Sequence, residues 1–519
     1  MNGENITISK MIEIASIKFP DKEVFIFPET GKRYTYKEFN DKVNEMCNGL
    51  NKIGVKKGDH VGLWMDNIEE WYVLFFAINR IGAISIPINT GFKSEEMNII
   101  LKNFDVDYLF MSDGYKSKYP DYINKIIPNF EVPNKDFPRL KEIVTINFNH
   151  NNCINYNDLM GNNQCFNENN CSNNTCIILP TSGTTGIPKG VELTNAQLIR
   201  NGYDIGEGYE LNNNDKMLIQ VPMFHCFGIT LSMLSSLTHF TPMAIVSHFN
   251  STKALEVIEK EKITCINGVP TMYIAIMNDP SFNNTNTSSI KKGIMAGSNC
   301  LPDLMHEVSI KMGMTVITVY GLTEASPGCT MTKVSDSAFI RENTVGKSFS
   351  GMECKIINPE TGIECSYGEQ GEFVVRGYNV MKGYYNNEEE TAKVIDSNGF
   401  LHTGDLAMKT ENEYYTITGR IKDTIIRGGE NIYPKEVMNI INKCPGVIDS
   451  CVFGVDDEKY GQEIEACVIS DGTITEDEIK MFMRENGASY KVPKYIKFVD
   501  DFIKNAAGKV LIYKMREVY

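Results

Sequence analysis

The ten residues Thr181-Ser-Gly-Thr-Thr-Gly-Ile-Pro-Lys-Gly190 are the most chemically specific stretch of this sequence. They place three glycines, four hydroxyl side chains and one lysine in a single segment. The apolar runs before and after it, residues 176–179 and 190–193, predict two β-strands that pair across a loop. Backbone N–H groups and hydroxyls that converge in such a loop can bind a polyphosphate, and Lys189 adds a positive charge.

The P-loop of kinases and NTPases, G-x-x-x-x-G-K-[ST], is the obvious competing interpretation, but its spacing does not fit. Counting from Gly183, position 188 is a proline instead of the second glycine, and no serine or threonine follows Lys189. The segment after the loop is strand-like, so no helix N-terminus would face the phosphate. Composition alone also allows a mobile surface loop, but the other motifs of the chain argue against that alternative.

Length and composition predict a large globular chain that does not bind nucleic acid. Its 519 residues correspond to roughly three or four ordinary domains. The net charge of −15 argues against nucleic-acid and anionic-membrane partners, since both require basic patches. No apolar run reaches the length of a transmembrane span, and the first residues lack the features of a signal peptide. The fourteen cysteines are scattered without a C-x-x-C pair, which indicates reduced thiols and a cytoplasmic location.

Alternating helix and strand patterns predict an α/β fold with two doubly wound, mostly parallel sheets, one in residues 34–111 and one in 216–319. Short strands with frequent glycine turns over 344–418 predict a small β-barrel-like subdomain or a distorted sheet. The final hundred or so residues predict a separate small α+β domain. The asparagine-rich stretch 147–175 has no apolar periodicity, so we expect an exposed, poorly ordered connection there.

Four more motifs follow the loop along the chain. Tyr320-Gly-Leu-Thr-Glu-Ala-Ser326 comes after a strand, and its polar residues should therefore lie at a carboxyl end of the sheet, where α/β proteins bind ligands. The others are His402-Thr-Gly-Asp-Leu406, Gly419-Arg-Ile-Lys-Asp423 and Lys504-Asn-Ala-Ala-Gly-Lys509. Taken singly, each is an ordinary turn or a solvated charge. It is their order and spacing along the chain that make them informative about function.

Together these motifs resemble the adenylate-forming superfamily of acyl-CoA synthetases, peptide-synthetase adenylation domains and luciferases. The resemblance covers nearly the whole chain and looks closest to medium-chain-type fatty acyl-CoA synthetases. It implies an ATP-dependent carboxylate–CoA ligase, in which an acid forms an acyl-AMP with release of pyrophosphate and a thiol then displaces AMP. It also implies a large domain over 1–421, with parallel sheets in 1–343 and a β-rich part in 344–420, a hinge at Lys422 and a mobile domain over 423–519.

The resemblance assigns nucleotide binding to residues of the loop and of four later segments. These are Thr181, Ser182, Gly183, Thr184, Thr185, Gly186, Lys189, Ser298, Tyr320, Gly321, Thr323, Asp405 and Arg420. Tyr320 would stack on adenine, Thr323 would contact phosphate, and Asp405 would accept hydrogen bonds from the ribose hydroxyls. Glu324 would hold Mg²⁺, which takes one or two carboxylates together with phosphate oxygens. The catalytic residues would be Lys509, Thr181 and Glu324, with the lysine neutralising charge in the transition state.

A second implied group forms the acid's pocket and comprises His225, Phe227, Gly228, Val269, Gly297 and Asn299. Amino-acid-adenylating relatives carry an aspartate in the segment that here reads Phe224-His-Cys-Phe227, and this chain has no acid there. Walls of this apolar texture suit an acyl or aryl chain. Gly428 and Gly429 would line the approach of the thiol, so ATP, Mg²⁺ and coenzyme A are the expected ligands.

Several alternatives stay open at this point. An aryl-acid CoA ligase and a ligase that loads a carrier protein fit the same motifs. From a different class, a non-catalytic nucleotide-binding protein is conceivable, but it should have lost Lys509, Glu324 or Asp405, and none is lost. The length of the acyl chain, the pathway and the assembly, with a homodimer as one option, are not readable from the sequence.

Overall fold

The computed structural model describes residues 6–115, 118–161, 170–181, 188–506, 508 and 510–519. Six residues with expected roles lie outside this described part: Ser182, Gly183, Thr184, Thr185, Gly186 and Lys509.

The α-helices of the described residues are numbered α1 to α16 in chain order. They are Ile8–Lys18, Tyr36–Lys52, Glu69–Ile81, Ser94–Asn103, Tyr119–Ile126, Tyr156–Leu159, Asn195–Gly208, Ser235–Thr238, Ser251–Glu261, Pro270–Met277, Pro302–Lys311, Ala338–Asn343, Glu388–Val394, Pro434–Ile441, Glu476–Asn486 and Ile512–Val518. A π-helix, Phe227–Leu234, runs directly into α8.

The strands are numbered β1 to β27 in the same way. They are Glu23–Phe27, Lys32–Thr35, His60–Trp64, Ile84–Pro87, Tyr108–Met111, Glu142–Thr145, Ile154–Asn155, Thr175–Thr181, Lys189–Thr194, Met217–Ile219, Met243–Ile245, Cys265–Gly268, Lys292–Met295, Thr315–Ile317, Val319–Gly321, Gly328–Met331, Lys347–Ser348, Met352–Ile357, Gly371–Gly377, Gly383–Tyr384, Leu401–Lys409, Tyr415–Arg420, Ile425–Arg427, Glu430–Ile432, Val447–Asp457, Gly461–Ser470 and Tyr495–Phe498.

Two large sheets form the body of the chain, as the alternating pattern predicts. One has eight strands in the order β20-β9-β8-β4-β3-β5-β6-β7, and the other has seven in the order β14-β13-β12-β10-β11-β1-β2. The pairs are parallel except where β9 joins β8, β20 joins β9 and β2 joins β1. Residues of both sheets share one hydrophobic core with α3, which is buried on nearly all sides. A helix enclosed in this way is consistent with its nearly continuous apolar sequence.

Local signals explain where the elements around the loop begin and end. The strands β8 and β9 pair antiparallel, with Thr181 opposite Lys189, as expected from the two apolar runs. Helix α7 begins directly after β9 because Thr194 and Gln197 form a capping box, in which each side chain bonds the other's backbone.

The β-rich part is open rather than closed. Strands β18, β19, β21 and β22 form an antiparallel four-stranded sheet, and β15, β16 and β17 form a three-stranded one. Among the described residues no pairing joins the outer strands β18 and β22, so of the two expectations the distorted sheet is the correct one. The C-terminal residues form a five-stranded sheet of β23 to β27 with α14 and α15 packed in the same core.

Residues 162–169 of the asparagine-rich segment lie outside the described part, and the segment before them is more ordered than its composition predicts. Residues Ile154–Asn155 form β7 at the edge of the eight-stranded sheet, and Tyr156–Leu159 form α6. Tyr156 and Leu159 are buried, and Leu159 lies directly against Gly49 of α2. Two apolar side chains are enough to hold this segment to the core, although they are too few to produce a periodic pattern.

Candidate active site

The carboxyl ends of the seven-stranded sheet and the β21–β22 hairpin meet around Asp405. This residue is 4% exposed and lies opposite Arg420 in the strand pair. Tyr320 Oη donates to Asp405 Oδ2 at 2.8 Å, and Arg420 Nε contacts Oδ1 at 2.8 Å. Burial works to lower the pKa of Arg420, but Asp405, together with Asp423 and Tyr320, outweighs it and the pKa is raised. The three nucleotide residues expected from separate motifs are therefore one hydrogen-bonded unit.

Glu324 lies one turn beyond Tyr320, in the short 3₁₀ segment Thr323–Ala325. Its Oε1 accepts a hydrogen bond from Tyr384 Oη at 2.8 Å. Burial first, and then the charge of Glu324, raise the pKa of Tyr384. In the described part of the chain Oε2 of Glu324 has no hydrogen bond or ion pair. A carboxylate held by one oxygen and open at the other suits a cation that is completed by phosphate oxygens.

Lys189 is held beside the same tyrosine. Its Nζ lies 4.9 Å from the centre of the Tyr384 ring and 2.5 Å from Glu390 Oε2. Hydrogen bonds from Lys189 and Lys393 lower the pKa of Glu390 to about 2. The loop lysine and the carboxylate Glu324 are thus connected through one aromatic side chain.

Three smaller contacts involve the expected nucleotide residues. The Thr323 hydroxyl lies 3.6 Å from Cys226 Sγ, which joins it to the segment expected to line the acid's pocket. Gly321 approaches Pro327 so closely that an added Cβ would lie 1.7 Å from the Pro327 oxygen, so no larger residue fits. Thr181 Oγ1 donates to Lys189 O at 3.3 Å at the base of the loop.

Three of the expected pocket residues form one wall. Gly297 has φ +84°, and a Cβ added there would lie 3.2 Å from Val269 Cγ1 and 3.6 Å from Phe227 Cδ1. Val269 follows β12 and Gly297 follows β13, so neighbouring parallel strands deliver them to the same edge. Phe227 comes from the π-helix that begins at the same edge.

The other pocket residues differ in character. Phe227 N donates to His225 Nδ1 at 3.1 Å, so this ring nitrogen is an acceptor and the histidine orders the turn before the π-helix. Gly228 packs on Pro222, where an added Cβ would lie 2.5 Å from the carbonyl oxygen. Asn299 has both side-chain polar atoms buried and without a hydrogen-bond partner among the described residues. A buried amide without partners costs stability unless a ligand satisfies it.

The C-terminal motif reaches this wall from the opposite side. Lys504 and Val510 form an isolated β-bridge that closes a turn. A Cβ added at Gly508 would lie 3.1 Å from Val269 Cγ2 and 3.4 Å from Thr271 Oγ1. Gly508 of the C-terminal motif therefore lies against the wall expected for the pocket.

The expected thiol and hinge residues lie elsewhere. Lys422 is exposed in the short segment Ile421–Asp423 between β22 and β23. Gly428 and Gly429 are exposed in the β23–β24 turn, and the side chain that packs on Gly428 is Tyr460. Ser298 is exposed in the loop after β13, next to Gly297. This structure brings Tyr320, Asp405 and Arg420 together, places Gly508 against Val269 of the expected pocket wall, and leaves the glycine pair outside.

Sequence reasoning missed Tyr384 and Glu390. Both belong to Gly383-Tyr-Tyr-Asn-Asn-Glu-Glu-Glu390, which supplies strand β20 and the start of α13. Their partners lie 60 and 201 positions away in the chain. The only local signal was a tyrosine pair after a glycine at the end of a strand-rich segment.

Two further observations apply to all of the residues that the structure describes. No helix there combines the length and the apolar character that crossing a bilayer requires. Within the same residues, no group of three or more His, Cys, Asp or Glu side chains could hold a metal ion.

Comparisons with known proteins give consistent results over both parts of the chain. A family model described as AMP-binding enzyme matches residues 13–385, and a second, AMP-binding enzyme C-terminal domain, matches 436–509. YngI of Bacillus subtilis (strain 168), whose name assigns it provisionally to the acyl-CoA synthetases, is 39% identical over 98% of this chain and 96% of its own length.

Another relative and a solved structure are also similar to this chain over nearly its whole length. The mitochondrial medium-chain acyl-CoA ligase ACSF2 of Danio rerio is 33% identical, covering 99% of this chain and 88% of that protein. The crystal structure of ATP-bound MatB from Rhodopseudomonas palustris superposes with a TM-score of 0.88 at 27% identity, covering 99% of each chain.

Proposed function

This chain belongs to the AMP-binding enzyme family and is an ATP-dependent acyl-CoA ligase, and we propose that its substrate is a medium- or long-chain fatty acid. The proposed first step joins the acid to AMP with release of pyrophosphate. In the second, the thiol of coenzyme A displaces AMP to give the thioester. An acid without an α-amino group is favoured because Phe224-His-Cys-Phe227 has no carboxylate to hold an ammonium.

The observation that carries the proposal is the contact of Gly508 with Val269 and Thr271. It brings a turn of the C-terminal domain against the wall formed by Phe227, Val269 and Gly297. A cation supplied by this turn would act where the carboxylate meets the α-phosphate. We assign that role to Lys509, which would stabilise the charge that grows in the transition state.

The remaining residues bind and orient the nucleotide. Asp405 would accept the ribose hydroxyls, while Tyr320 keeps the carboxylate in place and presents its ring to adenine. The hydroxyls and N–H groups of residues 181–186, with Lys189, would hold the phosphates. Catalysis of this kind depends on positioning and charge neutralisation, since the attacking group is the carboxylate of the acid itself.

The donor set at Glu324 fits Mg²⁺. The carboxylate has one oxygen fixed by Tyr384 and one left for a cation, and Mg²⁺ commonly binds through one or two carboxylates and substrate phosphates. When bound, Mg²⁺ would neutralise charge on the phosphates. We further propose 1–421 as the large domain, Lys422 as the hinge and 423–519 as the mobile domain, with Gly428 and Gly429 serving the thiol after rotation.

The test is pyrophosphate–ATP exchange with straight-chain acids of increasing length, aryl acids and amino acids, followed by CoA-dependent release of AMP. We expect exchange with the longer straight-chain acids and AMP release only when CoA is added. Exchange confined to aryl acids would reject the proposed substrate, and AMP release with a carrier protein but not with CoA would reject the thiol acceptor.

Lys509→Ala is the matching variant. It should lose exchange by roughly 10²- to 10³-fold or more while still binding ATP, as expected when one preorganised charge donor is lost. Lys504→Ala is the control, because Lys504 lies at the base of the same turn and pairs with Asp501 at 2.6 Å. Equal losses in the two variants would remove Lys509 from the chemistry.

A further inference from the structure

Lys435 crosses from the C-terminal domain to the large domain. It is the second residue of α14, and its Nζ donates to Ile417 O of β22 at 2.6 Å. Ile417 precedes the proposed hinge at Lys422, and Lys435 follows it. The hydrogen bond therefore joins two residues on opposite sides of the segment about which the domains would turn.

The ammonium group of Lys435 lies in an unusual environment for a lysine. Burial lowers its pKa, while Cys300 and Asp405 act in the opposite direction. Among the described residues no carboxylate lies within ion-pair distance of its Nζ, and the acceptor is a neutral carbonyl. Burial of a cation without a paired charge is unfavourable, so this contact stabilises the closed arrangement only modestly.

The same interface lies on the hairpin that holds the ribose carboxylate. Ile417 pairs with Ala407, two residues after Asp405, and Gly419 of the same strand packs on Tyr433. The position of α14 on β22 is thus linked to the strand pair of Asp405 and Arg420. The contact of Gly508 with Val269 is made by the same C-terminal domain.

We propose that Lys435 is a closure latch, a positioning residue that favours the domain arrangement needed for acyl-AMP formation. In the closed arrangement its ammonium binds the Ile417 carbonyl and helps to keep the C-terminal turn on the pocket. When the domain rotates about Lys422, the ammonium returns to water and regains its hydration. A neutral acceptor suits this task, because a buried carboxylate partner would make opening far more costly.

This inference rests on the proposed function and predicts a difference between the two half-reactions. Lys435→Ala should lower kcat/KM for pyrophosphate exchange about tenfold, the loss expected for one hydrogen bond to a charged group. The conversion of supplied acyl-AMP and CoA to the thioester should be unchanged or faster, because opening no longer breaks the contact. Lys435→Arg, which keeps a charged donor, should recover part of the exchange activity.

Lys443→Ala is the control, since Lys443 is exposed just beyond the end of the same helix. It should leave both half-reactions at the level of the unmodified enzyme. Equal losses in both half-reactions of Lys435→Ala, or no loss in either, would overturn the latch. If the unmodified enzyme gave no exchange with any acid, the proposed function itself would fail, which is a separate result.

Discussion

Removal of the Tyr320 hydroxyl (Tyr320→Phe) tests whether its contact with Asp405 organises the nucleotide site. The hydroxyl donates to Asp405 Oδ2 at 2.8 Å, and the carboxylate is almost fully buried. A hydrogen bond to a charged group contributes about 1.5–3 kcal/mol, and about 1.4 kcal/mol corresponds to a tenfold change. The kcat/KM for ATP should therefore fall roughly 10- to 100-fold, although the phenyl ring can still stack on adenine.

Tyr415→Phe provides a closely matched control. Tyr415 Oη donates to the Cys354 carbonyl at 2.8 Å, and its ring packs edge-to-face on Phe373 at 5.2 Å. The Tyr320 ring packs on the same phenylalanine at 5.0 Å. Both variants delete one buried tyrosine hydroxyl, but only Tyr320 contacts the expected ribose carboxylate. Tyr415→Phe should cost about 1 kcal/mol of stability and leave the kinetics with ATP unchanged.

The assay is pyrophosphate–ATP exchange at varied ATP and saturating acid, with the thermal midpoint of each variant measured in parallel. The reasoning predicts a loss in kcat/KM for ATP in Tyr320→Phe alone, with similar thermal midpoints for both variants. It is refuted if Tyr320→Phe stays within twofold of the unmodified enzyme, or if Tyr415→Phe shows the same kinetic loss.

Three further predictions concern the pocket, the metal and pH. Gly297→Ala adds a Cβ at φ +84° and 3.2 Å from Val269 Cγ1. The KM for long acids should therefore rise roughly tenfold. An unchanged KM for the acid would show that Gly297 does not line the pocket. Tyr384→Phe should raise the Mg²⁺ concentration for half-maximal exchange about tenfold, and no change would show that Glu324 needs no support. Burial raises the pKa of Asp66 to about 6. Between about pH 4 and 6 this carboxyl therefore keeps its proton in the folded state and loses it in the unfolded chain. The free energy of unfolding falls as the pH rises through this range. Asp66→Asn should therefore stabilise the protein at pH 7 by at most about 3 kcal/mol and have no effect below pH 4; equal thermal midpoints at neutral pH would contradict this.

The sequence predicts the two parallel sheets and many element boundaries because their signals are local. Ser94–Asn103 and Pro270–Met277 form helices between strands of the two sheets, as the alternating pattern predicts, and Thr194 caps α7. Phe227–Leu234 is a π-helix that is followed by α8, a helix type that the alternating pattern does not indicate. Every residue of that π-helix is buried, so the segment has no polar face from which its period or its start could be read.

The candidate site also contains residues with a local sequence signal and residues without one. Tyr320, Glu324 and Asp405 stand in recognisable motifs, but which atoms meet depends on pairings between distant segments. Tyr384 and Lys435 stand in no motif that predicts their partners, since a tyrosine or a lysine near the end of a helix or strand is usually an ordinary surface residue. Their proposed roles follow from the hydrogen bonds of Tyr384 to Glu324 and of Lys435 to Ile417. Only the folded sheets bring these partners together.

If Gly428 and Gly429 serve the thiol as proposed, the domain arrangement of this structure would serve only the first half-reaction. Gly508 and the turn of Gly428 and Gly429 belong to the same C-terminal domain. While Gly508 lies on Val269, the glycine turn is exposed and packs on Tyr460 of its own domain. For that turn to guide a thiol to the acyl-AMP, the domain must rotate and Gly508 must leave the pocket. In the proposed mechanism the same motion would withdraw Lys509 and admit the second substrate, so that acyl-AMP formation and its consumption would alternate.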